Sequence, residues 1–150
     1  MKVGVIGGGA AGMIAAITAA KDNNEVVVIE KTSSLGNKLK ITGKGRCNLT
    51  FDGDEEDFKK NIVTNYKFMY SSFSNFSNKD VVNYFESLGV KTKVERGGRI
   101  FPVSDKATDI VRALENEIKK RKIKVMYNSS VTEIITKNNI VTGVKLENGK

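Results

Sequence analysis

The chain has no histidine and a single cysteine, Cys47, in 150 residues. One thiol cannot close an internal disulfide, and without imidazole a zinc site loses its usual ligands, so no metal is expected. The missing histidine also removes the commonest general acid or base. No apolar run approaches the about 20 residues that a membrane span needs. The first apolar stretch starts at Lys2 and leaves no room for a leader, so a cytoplasmic protein is expected. Aromatic residues are absent from the densest basic run, Lys119-Lys120-Arg121-Lys122. The net charge of +8 raises nucleic acid as a partner. That run, however, closes an expected helix, where cations complement the dipole, and nothing in it would stack on bases. With 39% hydrophobic and 28% charged residues, the expectation is a globular protein with no nucleic-acid or membrane partner.

What is present is concentrated in the first thirty residues. Lys2-Val3-Gly4-Val5-Ile6 runs into Gly7-Gly8-Gly9-Ala10-Ala11-Gly12, and Val26-Val27-Val28-Ile29 ends in Glu30. This order predicts a strand, a glycine turn, a small-residue helix over 10–20 and a second strand closed by an acid. Gly7 allows the sharp turn, Gly9 has no Cβ to obstruct a pyrophosphate, and Gly12 lets the helix lie close to the sheet. The helix start offers unpaired N–H groups and about half a positive charge to an anion. Glu30, eighteen residues past Gly12, is placed to meet the ribose hydroxyls of an adenosine. On these residues the reading is a dinucleotide site.

Residues 31–50 read as a polar loop with one short helical turn. The acidic run Asp52–Asp57 suits a helix start rather than a metal site. Phe68, Tyr70, Phe73 and Phe76 are expected as core anchors. A helix from Asn78 or Lys79 should carry Val81, Val82, Phe85 and Leu88 on one face and close at Gly89. Residues 90–95 and 99–103 flank Gly97-Gly98 as a hairpin. Ser104 or Asp105 caps a helix carrying Ile110, Val111, Leu114 and Ile118. Residues 123–127 form a third parallel strand, and 131–135 with 140–146 pair around Lys137-Asn138-Asn139. Asn148-Gly149 opens a further turn across 146–150. With three parallel strands the first keeps an unpaired edge, which suggests the N-terminal part of a longer polypeptide.

A second constellation spans Gly36 to Asn48, with Lys38 and Arg46 supplying charge, Thr42 and Asn48 neutral hydrogen bonds, and glycines exposing N–H groups. Together with GGGAAG before it and GGRIFPVSDKA at 97–107, the stretch GNKLKITGKGRCNLT closely resembles the BaiN/aminoacetone-oxidase-like flavoproteins along essentially all 150 residues. The resemblance implies an FAD-dependent oxidoreductase with a Rossmann-like FAD/NAD(P)-binding domain of glutathione-reductase type. That is an α/β fold, a parallel sheet with inserted helices and a hairpin and the start of a β-meander, incomplete in this chain. Its parts would be a first βαβ unit (2–30), a cofactor loop (31–50), a helical and hairpin insertion (51–122) and the third strand with meander (123–150). By this similarity Gly7, Gly9, Ala10, Ala11 and Gly12 hold the pyrophosphate, and Glu30 with Lys31 lies at the adenosine. Lys38, Thr42, Gly43, Gly45, Arg46, Cys47 and Asn48 line the path toward the flavin, and the Val131 backbone meets the adenine. Asn37 and Phe51 depart from the family pattern. The resemblance implies hydride transfer through FAD on a small organic or steroid-like substrate, with NAD(P)H as a candidate electron donor. No catalytic acid or base is assigned. Cys47 reads as a packing or cofactor-contact residue, and Arg99 as an anion contact or a structural salt bridge. From the residues alone, an NAD(P)-dependent dehydrogenase and a non-enzymatic nucleotide- or nucleic-acid-binding module stay open.

Overall fold

A computed structural model describes residues 1–149. The chain divides into two compact units, one of Met1–Leu39 with Leu114–Lys150 and one of Lys40–Ala113. The first unit carries a parallel sheet of β1 (Lys2–Ile6), β2 (Glu25–Ile29) and β6 (Lys124–Met126), in the order β1-β2-β6. Val3 pairs with Val26 and Val28 with Val125. This is the parallel Rossmann-like arrangement expected, with the central strand richest in β-branched residues. Val26, Val28 and Ile29 are buried, each such side chain contributing about 1.5–3 kcal/mol on burial.

The edge strand β1 exposes Lys2, Gly4 and Ile6 on alternate positions. Helix α1 (Ala10–Ala19) packs Met13, Ala16 and Ile17 inward. Beyond β6, β7 (Val131–Lys137) and β8 (Ile140–Leu146) form an antiparallel hairpin. Its turn holds Asn138 and Asn139 at φ 50° and 61°, the left-handed pair that hairpin twist favours. The turn expected over 146–150 lies partly outside the described residues.

The second unit contains a three-stranded sheet in the order β3-β5-β4, from β3 (Thr50–Phe51), β4 (Thr92–Glu95) and β5 (Arg99–Pro102). The Gly97-Gly98 hairpin is present as expected. Helix α2 (Asn37–Ile41) leads into this unit and is followed by a short 3₁₀ turn, Thr42–Gly45. Helices α3 (Glu55–Asn61) and α5 (Asn78–Ser87) each start with a reciprocal capping box, Asp54 with Asp57 and Ser77 with Asp80. The acidic run is thus a helix start. Helix α6 (Ala107–Lys120), which is divided between the two units at Leu114, buries Ile110, Val111, Leu114 and Ile118. Past its end, Arg121 pairs with Glu117 one turn back.

One expectation fails on helix α4 (Tyr66–Asn75). Phe68 is 83% exposed, Tyr70 56% and Phe76 43%. Only Phe73 is half-buried, stacked on Phe58 with ring centroids 4.3 Å apart. At 3.6 residues per turn, residues 68 and 70 point about 200° apart and cannot share a buried face.

Candidate functional site

The first βαβ unit builds a polar cradle from main-chain groups. Strand β1 runs into Gly7, whose φ of 96° is one that residues with a Cβ rarely adopt. Its N–H donates to the Ile29 carbonyl at 2.8 Å, which keeps the turn in register with β2. A Cβ on Gly12 would fall well inside contact with the Gly7 carbonyl oxygen, so this position admits only glycine without a shift of the turn. At Gly9 the reverse holds, since a Cβ there would meet nothing within 4 Å. Gly9 is the N-cap of α1, no described side chain caps that end, and the first turn carries no acid. The exposed start of α1, with Ala10 and Ala11, therefore keeps its partial positive charge and N–H groups for an anion.

Glu30 is only 9% exposed, and its carboxylate is heavily engaged. Oε2 accepts from the Gly8 N–H at 2.6 Å, while Oε1 accepts from the Thr32 N–H at 2.8 Å and the Thr32 hydroxyl at 2.7 Å. Burial works against the charge, but the bonds from Thr32 and Gly8, with Lys31 nearby, outweigh it and hold the carboxyl below its ordinary range. The backbone around Glu30 is fixed on the far side as well, its N–H donating to Met126 and its carbonyl accepting from Ser129. A Cβ on Gly8 would press into Leu35 and lie 3.1 Å from Glu30 Oε2, so a larger residue there would displace these two side chains.

Glu30, Lys31, Gly7 and Val131 line one cavity of about 170 Å³, together with Ser129 and Ser130. Whole ligand pockets run to about 300–1,000 Å³, so this one takes part of a ligand. A larger cavity of about 500 Å³ between the exposed face of β1–β2 and the β7–β8 hairpin is mainly apolar and lacks such converging groups. Lys38 lies exposed in α2. Gly8, Thr32, Ser129 and Ser130 are not among the site residues expected from the sequence; the middle glycine of the Gly7–Gly9 run is the one available signal among them.

In the second unit, Gly43, Lys44, Gly45 and Cys47 all have positive φ, and the turn closes as the Arg46 and Cys47 N–H groups donate to the Gly43 and Thr42 carbonyls at 3.3 and 3.0 Å. Arg46 Nη1 lies 2.9 Å and 3.0 Å from the two carboxylate oxygens of Glu95 and 3.5 Å from Asp105. Its guanidinium carbon stands 4.1 Å from the centre of the Phe101 ring. Lys93 completes this group at 2.7 Å from Asp105 and 3.3 Å from Glu95. Cys47 is buried, and burial pushes its thiol up despite a hydrogen bond with Thr42, which makes it a poor nucleophile. Asn48 is exposed and Thr42 half-buried. Arg99 donates through Nε to the Arg96 carbonyl at 3.2 Å.

A parallel sheet, a glycine turn without a cap and a buried acid at the end of β2 define a Rossmann-type dinucleotide-binding domain. The chain belongs to the HI0933-like family, whose Rossmann-domain model matches residues 1–150. This bears out the resemblance to the BaiN/aminoacetone-oxidase-like, FAD-dependent oxidoreductases. It is 35% identical over 134 residues to a 3-dehydro-bile acid delta(4,6)-reductase of Clostridium scindens, covering 83% of this chain and 30% of that protein. It is 28% identical over 130 residues to a ribosomal RNA dihydrouridine synthase of Haemophilus influenzae, covering 87% and 32%. The chain thus spans about a third of the length of these curated relatives. In fold it is similar to the 3-ketosteroid-delta4-(5alpha)-dehydrogenase of Rhodococcus jostii, with a TM-score of 0.69 at 18% identity over 99% of this chain and 42% of that one. Among the described residues no helix is long and apolar enough to cross a membrane.

Proposed function

We propose that this chain is the dinucleotide-binding part of a flavoprotein reductase and that its first βαβ unit holds the adenosine diphosphate half of FAD. The observation that carries this reading is the buried, ionised Glu30 in a cavity beside an uncapped helix start. Main-chain N–H groups at Gly9, Ala10, Ala11 and Gly12 bind the diphosphate, and Glu30 accepts from the ribose. Lys31 flanks the sugar, and the Val131 backbone meets the adenine. By the family resemblance, Lys38, Thr42, Gly43, Gly45, Arg46, Cys47 and Asn48 serve the remaining length of the cofactor. When bound, FAD supplies the hydride chemistry in its own ring system, which a chain without histidine does not have to provide.

The two curated relatives also narrow the reaction. Reducing a 3-dehydro-bile acid at positions 4 and 6 and making dihydrouridine both saturate a carbon–carbon double bond conjugated to a carbonyl. We take that as the reaction class, with a small steroid-like enone as the substrate, following the relative with the higher identity. A second reading, a uracil base in ribosomal RNA, draws on the dihydrouridine synthases and the net charge of +8. Full-length protein purified from cells should be yellow and release FAD on denaturation. Its anaerobically reduced flavin should be reoxidised by a steroid enone and not by a uridine-containing ribosomal RNA transcript. A colourless protein that binds NADH would support a dehydrogenase instead. Binding to RNA that weakens steeply with salt, and needs no cofactor, would support a binding module.

A further inference from the structure

Glu30 uses most of its accepting capacity inside the protein. A carboxylate offers about four lone-pair positions, two on each oxygen. Both on Oε1 go to Thr32, and one on Oε2 goes to Gly8. Among the described residues this leaves a single position, on Oε2, for an outside donor. What decides this split is the Thr32 hydroxyl. Asn37 Nδ2 donates to Thr32 Oγ1 at 2.9 Å, so the hydroxyl is free to give its own proton away. Two acceptors compete for that proton, Glu30 Oε1 at 2.7 Å and the Ser34 carbonyl at 2.9 Å. The nearer one is also charged, and a charge-assisted bond is the stronger. Asn37 is held in turn, its Oδ1 accepting from the Ser34 hydroxyl at 2.6 Å.

We propose that Thr32, held by Asn37, is a positioning residue for nucleotide recognition: it occupies one oxygen of Glu30 and leaves the other for one ribose hydroxyl. The proposal rests on the adenosine reading of this site. It also gives a place to Asn37, as part of the relay behind Glu30. Thr32 touches no ligand in this scheme. It acts through Glu30 alone, so its removal should weaken the preference for a hydroxylated sugar more than it weakens binding as such.

The test compares ADP, 2′-deoxy-ADP and 3′-deoxy-ADP as ligands of the full-length protein stripped of its flavin, in wild type, Thr32→Val and Thr32→Ser. Valine keeps the shape and removes the hydroxyl, whereas serine keeps the hydroxyl. Wild type should prefer ADP over one of the deoxy analogues by about tenfold, the size of one hydrogen bond to a charged group. In Thr32→Val the preference should shrink to about twofold, and Thr32→Ser should restore it. Equal weakening toward all three ligands in Thr32→Val, or an unchanged preference, would overturn the positioning role alone. A wild type that does not distinguish ADP from either analogue would overturn the ribose reading of Glu30, and the role of Thr32 with it.

Discussion

Gly9 and Gly12 lie three residues apart in one turn, and the structure assigns them opposite reasons for being glycine. Replacing each with alanine separates a ligand constraint from a folding constraint. At Gly9, φ is −78° and a Cβ has nothing within 4 Å. The loss of a glycine N-cap costs on the order of 0.5–1 kcal/mol, and the reduced freedom of the unfolded chain returns about 0.4–1 kcal/mol. These nearly cancel, so Gly9→Ala should unfold within about 0.5 kcal/mol of wild type. At Gly12 the added Cβ meets the Gly7 carbonyl oxygen, part of the backbone and unable to swing aside. Overpacking of this kind costs about 3 kcal/mol at its upper end, and the helix preference for alanine over glycine returns about 1 kcal/mol. A net loss of about 2 kcal/mol follows for Gly12→Ala. Urea unfolding of the flavin-free full-length protein reads both values, and FAD titration reads the ligand side. Gly9→Val should remain folded and lose FAD retention through the branched side chain at the diphosphate. Equal destabilisation by the two alanine variants would refute the division of roles, as would tight FAD binding in a folded Gly9→Val protein.

Other consequences follow from single side chains. The Glu30 carboxyl is held below its ordinary value of 4.5 in the folded chain, so its contribution is fully present above that pH and is lost as pH falls through the folded-state value. Glu30→Gln should therefore be less stable near neutrality and show a shallower loss of stability below about pH 4.5; parallel urea midpoints for both proteins across that range would contradict this. Cys47, with its thiol pushed up by burial, should resist a thiol reagent at neutral pH until the protein is unfolded, and prompt labelling of the native protein would count against its inward placement. Asn78 Nδ2 donates to the Phe51 and Gly53 carbonyls at 2.7 and 2.9 Å from a buried position. Asn78→Ala leaves both carbonyls short of a donor and should cost about 1–3 kcal/mol in urea unfolding; a loss below about 0.5 kcal/mol would show that these bonds contribute little.

The β1–α1–β2 unit was legible because each of its cues is local. An unbroken apolar strand, three glycines and an acid at the strand end act within a few residues of where they stand. The capping boxes at Asp54 and Ser77 belong to the same class. The aromatic residues at 68–76 do not form a core because angular spacing, and not number, decides which side chains a helix buries. Thr32 and Asn37 were invisible for a different reason: they lie in a polar loop without periodicity, and their value arises only once Glu30 is folded back over Gly8. Arg46 marks the farthest limit of local reading, since its partners Glu95 and Asp105 lie 49 and 59 residues away.

Those partners change what the segment after α2 can offer a ligand. Read as a string, Gly36 to Asn48 is an anion-and-polar cradle, with glycines exposing N–H groups and Lys38 and Arg46 supplying charge. In the folded chain the Arg46 guanidinium is engaged by two carboxylates and rests on Phe101, and the Cys47 thiol is buried. Both side chains therefore secure the loop, and what they secure is a backbone with four left-handed residues between Gly43 and Cys47. The Arg46 and Cys47 amides close that turn by donating to the Gly43 and Thr42 carbonyls. At Gly9 to Gly12 the start of α1, with no described side-chain cap, is the part of the first unit that offers main-chain donors. Glu95→Gln is the perturbation that reaches this loop without altering its own residues: it weakens the hold on Arg46, leaves the GKGRCN stretch intact, and should loosen FAD retention in the full-length protein while the preference for ADP over its deoxy analogues stays the same. A matching loss of that preference would mean that the loop and the Glu30 cavity do not act separately.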